Sequence, residues 1–173
     1  LALNISSLGA ILFEGGDLQA AEQELRRALT LHQRHGAADH PDRAGLVRNL
    51  TTFLSNRLGQ LQRGGDLRGA AACGREAVAL LSDAFGSADA AVASARRELA
   101  SVLLDLGEPV AAEQQLREAL DRLSAMAAAP RRLHALCLHD LAAILLDRDL
   151  AAAEDLTRKA LDLLGPERDI APA

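Results

Sequence analysis

The sequence predicts an all-α fold, a solenoid built from four helix pairs and therefore from eight helices. The first observation is a unit that occurs four times, as GGDLQAAEQELRRAL, GGDLRGAAACGREAV, LGEPVAAEQQLREAL and DRDLAAAEDLTRKAL. The second is a chain that is 49% hydrophobic but only 2% aromatic, whose Ala, Leu, Arg and Glu favour helices over strands. The third is the spacing of the units, about 42 residues, which is typical of helical solenoids.

Each unit opens with an acidic residue at the start of a helix. A carboxylate there can accept hydrogen bonds from free N–H groups and faces the positive end of the helix dipole. The acidic residues are Asp17, Asp66, Glu108 and Asp149. Pro109 also suits a first turn, because its missing N–H is not needed there. The second helices of the pairs are therefore expected near 18–34, 67–84, 109–125 and 150–164.

Small residues recur in two columns of the unit. They are Ala21, Ala70, Ala112 and Ala153, and then Ala28, Ala77, Ala119 and Ala160. Residues at these spacings share one face of a helix. A face of small side chains allows a neighbouring helix to approach closely, as packed antiparallel pairs require.

A second apolar pattern precedes each unit and predicts the first helices of the pairs, near 3–14, 42–63, 89–106 and 131–146. Gly64 and Gly65 fit a turn between two helices rather than a phosphate loop, since no strand precedes them and no Lys-Ser/Thr follows. The expected organisation is one domain over residues 1–173, with repeats near 1–40, 41–87, 88–129 and 130–165.

As a set, these columns resemble tetratricopeptide repeats of the long, kinesin-light-chain type. In the first unit the resemblance is carried by Leu8-Gly9, Gly16-Asp17-Leu18, Ala21, Leu25, Ala28 and Asp39-His40-Pro41-Asp42. It implies a right-handed superhelix and a role in protein interaction. Two departures are clear: Leu replaces the usual aromatic residues, and Gly74 replaces the packing Leu of the second unit. Because Gly in a helix costs about 1 kcal/mol relative to Ala, that helix is expected to be the least stable.

Charge and composition narrow the class of function. A net charge of -5 argues against wrapping a nucleic acid, and no apolar run has the length of a membrane span. Cys73 and Cys137 form no spaced motif, which suits a reducing, cytoplasmic location. The chain lacks an initiator Met, so we expect a piece of a larger protein. The excess of Arg over Lys suggests a bacterial source, where such arrays resemble sensory or scaffolding parts of regulators.

The residues that could carry chemistry do not form complete sets. His32 and His35 have a spacing that could place both imidazoles on one metal, but no further ligands complete a site. Paired carboxylates fall on predicted outer faces or helix starts, and neither cysteine has a base predicted beside it. The sequence therefore predicts no enzyme, no metal and no cofactor.

The resemblance further implies that the first helices line a concave groove for a peptide or partner segment. Carried over residue by residue, the groove comprises Phe13, Asn49, Phe53, Asn56, Gln60, Arg63, Arg97, Ser101, Arg132 and His139. Amides, arginines and apolar anchors together favour a protein segment of acidic character. A merely solvated helix face remains an open alternative. A further alternative is homo-oligomerisation, because the solenoid end after the last helix lacks a polar cap.

Overall fold

A computed structural model of the chain describes residues 18–35, 41–86 and 89–165, which form seven α-helices and no strand. The helices are α1 (Leu18–His35), α2 (Pro41–Arg63), α3 (Leu67–Phe85), α4 (Ala90–Asp105), α5 (Pro109–Ala125), α6 (Arg131–Leu145) and α7 (Leu150–Leu164). All seven confirm the predicted spans to within one residue at each end. The eighth helix, expected over 3–14, lies outside the described residues, and the right-handed superhelix stays a prediction.

The chain divides into two compact units, one ending at Ser87 and the other beginning at Ala88. This division coincides with the expected boundary between the second and third repeats; the single domain over 1–173 stays a prediction. In unit 1, α2 packs against both α1 and α3. In unit 2, α4 packs on α5, α5 on α6, and α6 on α7. Each unit is therefore built from helices that pack on their neighbours in sequence.

Glycines end two of the first helices. Gly65 has a φ of 84°, a left-handed conformation in which a side chain would be strained. The Asp66 N–H then donates to the carbonyl of Leu61 at 2.9 Å, closing the turn after α2. Gly107, with a φ of 76°, ends α4 in the same way. The predicted turn at Gly64-Gly65 is thus confirmed.

Aspartate caps the start of two second helices. The Asp66 side chain accepts a hydrogen bond from the Gly69 N–H at 2.9 Å, and Asp149 accepts one from the Ala152 N–H at 3.0 Å. Glu108 makes no such bond, so the cap predicted there is wrong. Its additional methylene carries the carboxylate past the N–H groups that the shorter Asp reaches, which is why Asp is preferred at caps.

The repeated alanines lie at helix contacts. Those whose side chains are described are 0–6% exposed: Ala28, Ala70, Ala77, Ala112, Ala119, Ala153 and Ala160. Between the two alanine columns of the repeat lies a column that holds the packing residues Leu25 and Leu116, which are 4% and 0% exposed. Gly74 occupies this column in α3 and is also buried. Asp17 and the side chain of Ala21 lie outside the described parts of the chain.

Candidate functional site

The predicted groove residues of unit 1 lie along α2. Four of them share an exposed face of that helix: Asn49, Asn56, Gln60 and Arg63. Phe53, by contrast, is only 4% exposed and belongs to the core together with Leu50 and Leu54, each 1% exposed. Phe53 is therefore not presented as a surface anchor, and Phe13 lies outside the described residues. This surface is polar, with amides along the helix and one guanidinium at its end.

The predicted groove residues of unit 2 lie on α4 and α6. The Arg97 Nε donates to Asp140 Oδ2 at 2.6 Å, an ion pair that joins the two helices. Ser101, Arg132 and His139 are exposed on the same two helices. Arg132 forms no ion pair within the residues that the structure describes. We call these four predicted residues, together with Asp140, the first-helix face of unit 2.

A buried thiol lies close to the ion pair of this face. Cys137 is 0% exposed, and burial raises the pKa of its thiol to about 11; Arg97 lowers and Asp140 raises that pKa by smaller amounts. In unit 1, burial likewise raises the pKa of Cys73. Both thiols are therefore protonated near neutral pH. Neither has the thiolate character of a nucleophile.

Carboxylates and arginines join the helices of unit 1. Arg26 donates to Glu76 of α3, with Nη2 and Oε2 2.8 Å apart, and to Glu22 on its own helix, with Nε and Oε1 2.9 Å apart. These hydrogen bonds raise the pKa of Arg26, the one to Glu76 most strongly. Arg57 of α2 also pairs with Glu22. The ion pairs of these two arginines therefore join α1, α2 and α3.

Glu113 of α5 plays the corresponding part in unit 2. It pairs with Arg148, which follows α6, and with Arg117 one turn along its own helix at 2.8 Å. The hydrogen bond from Arg148, and then that from Arg117, lowers the pKa of Glu113. Glu22 and Glu113 stand in the same column of the repeat, and each of them binds two arginines.

Unit 2 also contains an open cleft of about 830 Å³ between α5, α6 and α7. Its apolar floor consists of Leu120, Leu138, Leu141, Leu156 and Leu163. Its polar rim consists of Arg117, Asp121, Ser124, His134, Lys159 and Asp162. The sequence does not indicate this cleft, because its lining comes from three helices and no single helix carries a recognisable pattern for it.

The cations at the rim of the cleft already have partners. Arg117 pairs with Glu113 at 2.8 Å, and Lys159 pairs with Asp155 at 2.7 Å. Both pairs join residues one turn apart on an exposed helix surface. Each rim cation is thus paired with a carboxylate of its own helix, and Glu113 also pairs with Arg148.

Unlike the rim cations, the carboxylates at the rim of the cleft are not paired within the described part of the chain. Asp121 and Asp162 are exposed, and neither forms an ion pair with any residue in the described ranges. His134 contributes no positive charge near neutral pH, because burial lowers the pKa of its imidazole. Each rim cation is thus paired with a carboxylate outside the cleft lining, whereas the two rim carboxylates have no ion pair among the described residues.

Several large apolar side chains on α7 and directly before it are exposed. Among the described residues of α7 only Ala153 and Ala160 are buried. Large apolar side chains are exposed around it by 55–65%: Leu146, Leu150, Leu161 and Leu164. We call these four leucines the terminal face.

Metal ligands and membrane spans were also predicted to be absent. Within residues 18–35, 41–86 and 89–165, no three His, Cys, Asp or Glu side chains are grouped closely enough to hold a metal ion. The side chains of His32 and His35 lie outside that description. No helix in the described ranges has the length and apolarity needed to cross a membrane.

Comparison with known proteins gives a family match in two segments. Residues 5–42 and 92–124 match the family model described as tetratricopeptide repeat. No curated protein has a sequence significantly similar to that of the chain. The two matched segments fall in the first and third expected repeats, one in each unit.

Two solved structures are similar in fold. BtubC (BKLC) from P. vanneervenii is 22% identical, with a TM-score of 0.62; the match covers 92% of this chain and 60% of that one. A variant of a Podosopora anserina putative kinesin light chain with nearly identical TPR-like repeats is 17% identical, with a TM-score of 0.50. That match covers 93% of this chain and 70% of the other. At these identities the similarity concerns the fold.

Proposed function

We propose that the chain is a protein-interaction module whose first helices hold a segment of a protein partner; two of its segments match the tetratricopeptide-repeat family model, and its fold is similar to that of BtubC. The observation that carries this proposal is the first-helix face of unit 2. Arg132 is exposed there without an ion pair in the described residues, and His139 and Ser101 are exposed on the same helices. An unpaired guanidinium beside hydrogen-bonding side chains suits a segment that carries carboxylates.

The arginines of this face have different parts in the proposal. Arg97 is bound to Asp140, so a ligand carboxylate would have to compete for it at 2.6 Å. Arg132 has no such competitor among the described residues and is the main contact for an acidic segment. In unit 1, Arg63 with Asn49, Asn56 and Gln60 offers a second polar surface of the same chemistry. Repeat proteins bind their partners along extended surfaces, so contacts in both units can contribute to binding of one partner.

The test is selection of random displayed peptides on the intact chain, followed by affinity measurement of the selected peptides. We expect Asp and Glu to be enriched, and binding to weaken with salt. Arg132→Glu should reduce affinity about ten-fold, because repulsion is added to the lost contact. Arg158→Glu is the matched control, since Arg158 is exposed on α7 and unpaired in the described residues.

Equal loss in the two variants would contradict the first-helix face as the binding surface. Arg97→Glu is a poor substitute for Arg132→Glu, because it would place a second carboxylate beside Asp140 and disturb the join between α4 and α6. We further propose that the module serves a scaffolding or sensory role in a larger cytoplasmic bacterial regulator. No catalytic step is assigned to it.

A second candidate function is self-association through the terminal face, favoured by the four exposed leucines there. Exposed apolar patches of this kind commonly mark interaction surfaces. Light scattering after gel filtration should then show a mass above that of one chain. Leu161→Glu should restore the monomer, whereas Ala151→Glu, an exposed position on the same helix, should not. A monomeric wild type would remove this candidate.

A further inference from the structure

The cleft of unit 2 lies on the opposite side of α6 from the first-helix face. At about 100° per residue, His134, Leu138 and Leu141 of the cleft point away from Arg132 and His139 of the first-helix face. A ligand of one surface therefore leaves the other accessible. Binding at the cleft does not depend on the function proposed above for the first-helix face.

The shape and apolarity of the cleft suit the side of a helix. Its volume of about 830 Å³ lies within the range of protein ligand sites and exceeds what one side chain would fill. Its apolar floor includes Leu138 and Leu141 of α6 and Leu156 and Leu163 of α7. Grooves between two helices, with an apolar base, commonly receive the apolar face of an amphipathic helix.

The charges decide which amphipathic helix would fit. The rim cations Arg117 and Lys159 are already paired one turn away, with Glu113 and Asp155. Asp121 on α5 and Asp162 on α7 remain without ion pairs in the described residues, so an unpaired carboxylate lies on each side of the leucine base. A basic ligand would therefore meet complementary charge on both walls, while an acidic ligand would meet repulsion.

We propose that the cleft between α5, α6 and α7 is a second docking surface, which binds a basic amphipathic helix of a partner protein. Leucine-type side chains of the partner enter the apolar base. Its Lys or Arg side chains, placed on both flanks, pair with Asp121 and Asp162. The partner chemistry is thus opposite to the acidic segment proposed for the first-helix face.

The probe is a labelled synthetic peptide with Leu along one helical face and Arg along both flanks, titrated with the full chain by fluorescence anisotropy. Two further peptides control for general attraction: a scrambled sequence of the same composition, and one with Glu in place of Arg. We expect the basic amphipathic peptide to bind at least about ten-fold more tightly than either. Equal binding of all three, or no binding of the first, would overturn the proposal.

Variants of the chain locate the contact. Asp121→Asn with Asp162→Asn should weaken binding about 3- to 30-fold, since two exposed ion pairs are lost. Glu154→Gln is the matched control, because Glu154 is exposed on α7 and does not line the cleft. Ser124→Trp places a bulky ring at the rim, where the side chain is exposed, and should abolish binding without disturbing the core.

If Ser124→Trp leaves the affinity unchanged, the peptide binds elsewhere and the proposal fails. It also fails if the double Asn variant matches Glu154→Gln. Light scattering tests whether a second copy of the chain occupies the cleft instead. This is the case if the wild type dimerises and Ser124→Trp, but no other variant, dissociates the dimer. That result overturns the assignment to a basic partner helix.

Discussion

The second helices α3 and α5 occupy equivalent places in successive repeats but are stabilised differently. α3 begins with a capped turn, in which Asp66 accepts the Gly69 N–H at 2.9 Å, yet it carries Gly74 at its central packing position. α5 begins at Glu108 without a side-chain cap, yet its packing residue Leu116 is 0% exposed. The shared columns therefore set where a helix starts and where it contacts its neighbours. They do not set how strongly each helix is held.

The largest effect is expected from emptying the packing position of α5. Leu116→Ala should lower the free energy of unfolding by about 2–5 kcal/mol, because a fully buried Leu leaves a cavity. Urea denaturation measures it. Val110→Ala, at a residue of α5 that is 71% exposed, is the control and should change stability by less than about 0.5 kcal/mol. Similar losses in both variants would show that α5 does not depend on this contact.

The buried thiol of unit 2 predicts alkaline destabilisation. The pKa of Cys137 is about 11 in the fold, against an ordinary value of 9.0. Below pH 9 the thiol is protonated in both states; as the pH rises from 9 towards 11, only the unfolded chain ionises, so stability falls. The wild type should lose up to about 2 kcal/mol more than Cys137→Ala over that range. Parallel pH profiles for the two proteins would contradict the burial of this thiol.

Removing the acidic start residue is expected to lower the free energy of unfolding more in α3 than in α5, and this difference should be smaller than the effects described above. Asp66→Ala should cost about 1 kcal/mol, because the Gly69 N–H loses its partner. Glu108→Ala should be nearly neutral, since Glu108 provides no side-chain cap. Urea denaturation of the two variants makes the comparison. A cost for Glu108→Ala as large as that for Asp66→Ala would indicate that Glu108 acts on α5 through its charge.

The smallest effect is expected at Gly74. Gly74→Ala should stabilise α3 by about 0.5–1 kcal/mol, because Ala restricts the unfolded chain and favours the helix. Amide hydrogen exchange along α3 should slow accordingly, with α5 as the internal reference. A loss of stability instead would mean that a neighbouring group needs the space beside Gly74.

The fold could be predicted closely because its signals are local. An acidic residue such as Asp149 starts a helix, a glycine such as Gly107 ends one, and the alanine columns identify the contact face. Each signal acts within one or two turns, so a single sequence contains it. The cap at Glu108 was predicted wrongly because the column shows an acidic residue but not the reach of its side chain.

The candidate site was less predictable because it depends on contacts between distant residues. Phe53 was assigned to the groove from the family resemblance, but it is only 4% exposed and belongs to the core, as do Leu50 and Leu54. Arg97 was expected to face a ligand, yet it binds Asp140, on a helix of the following repeat. No local pattern indicates such a pairing.

The alanine columns have a consequence for how arrays of this kind change length during evolution. In every repeat the turn, the acidic start residue and the first contact alanine lie within one short stretch of sequence. A duplicated gene segment would therefore copy a helix pair together with the residues that determine its packing. Recombination between equivalent alanine codons, such as those of Ala112 and Ala153, would delete or insert one whole pair and preserve the close-contact surface. Substitutions that enlarge one of these alanines would interrupt that exchange, since the copied pair would no longer fit its new neighbour.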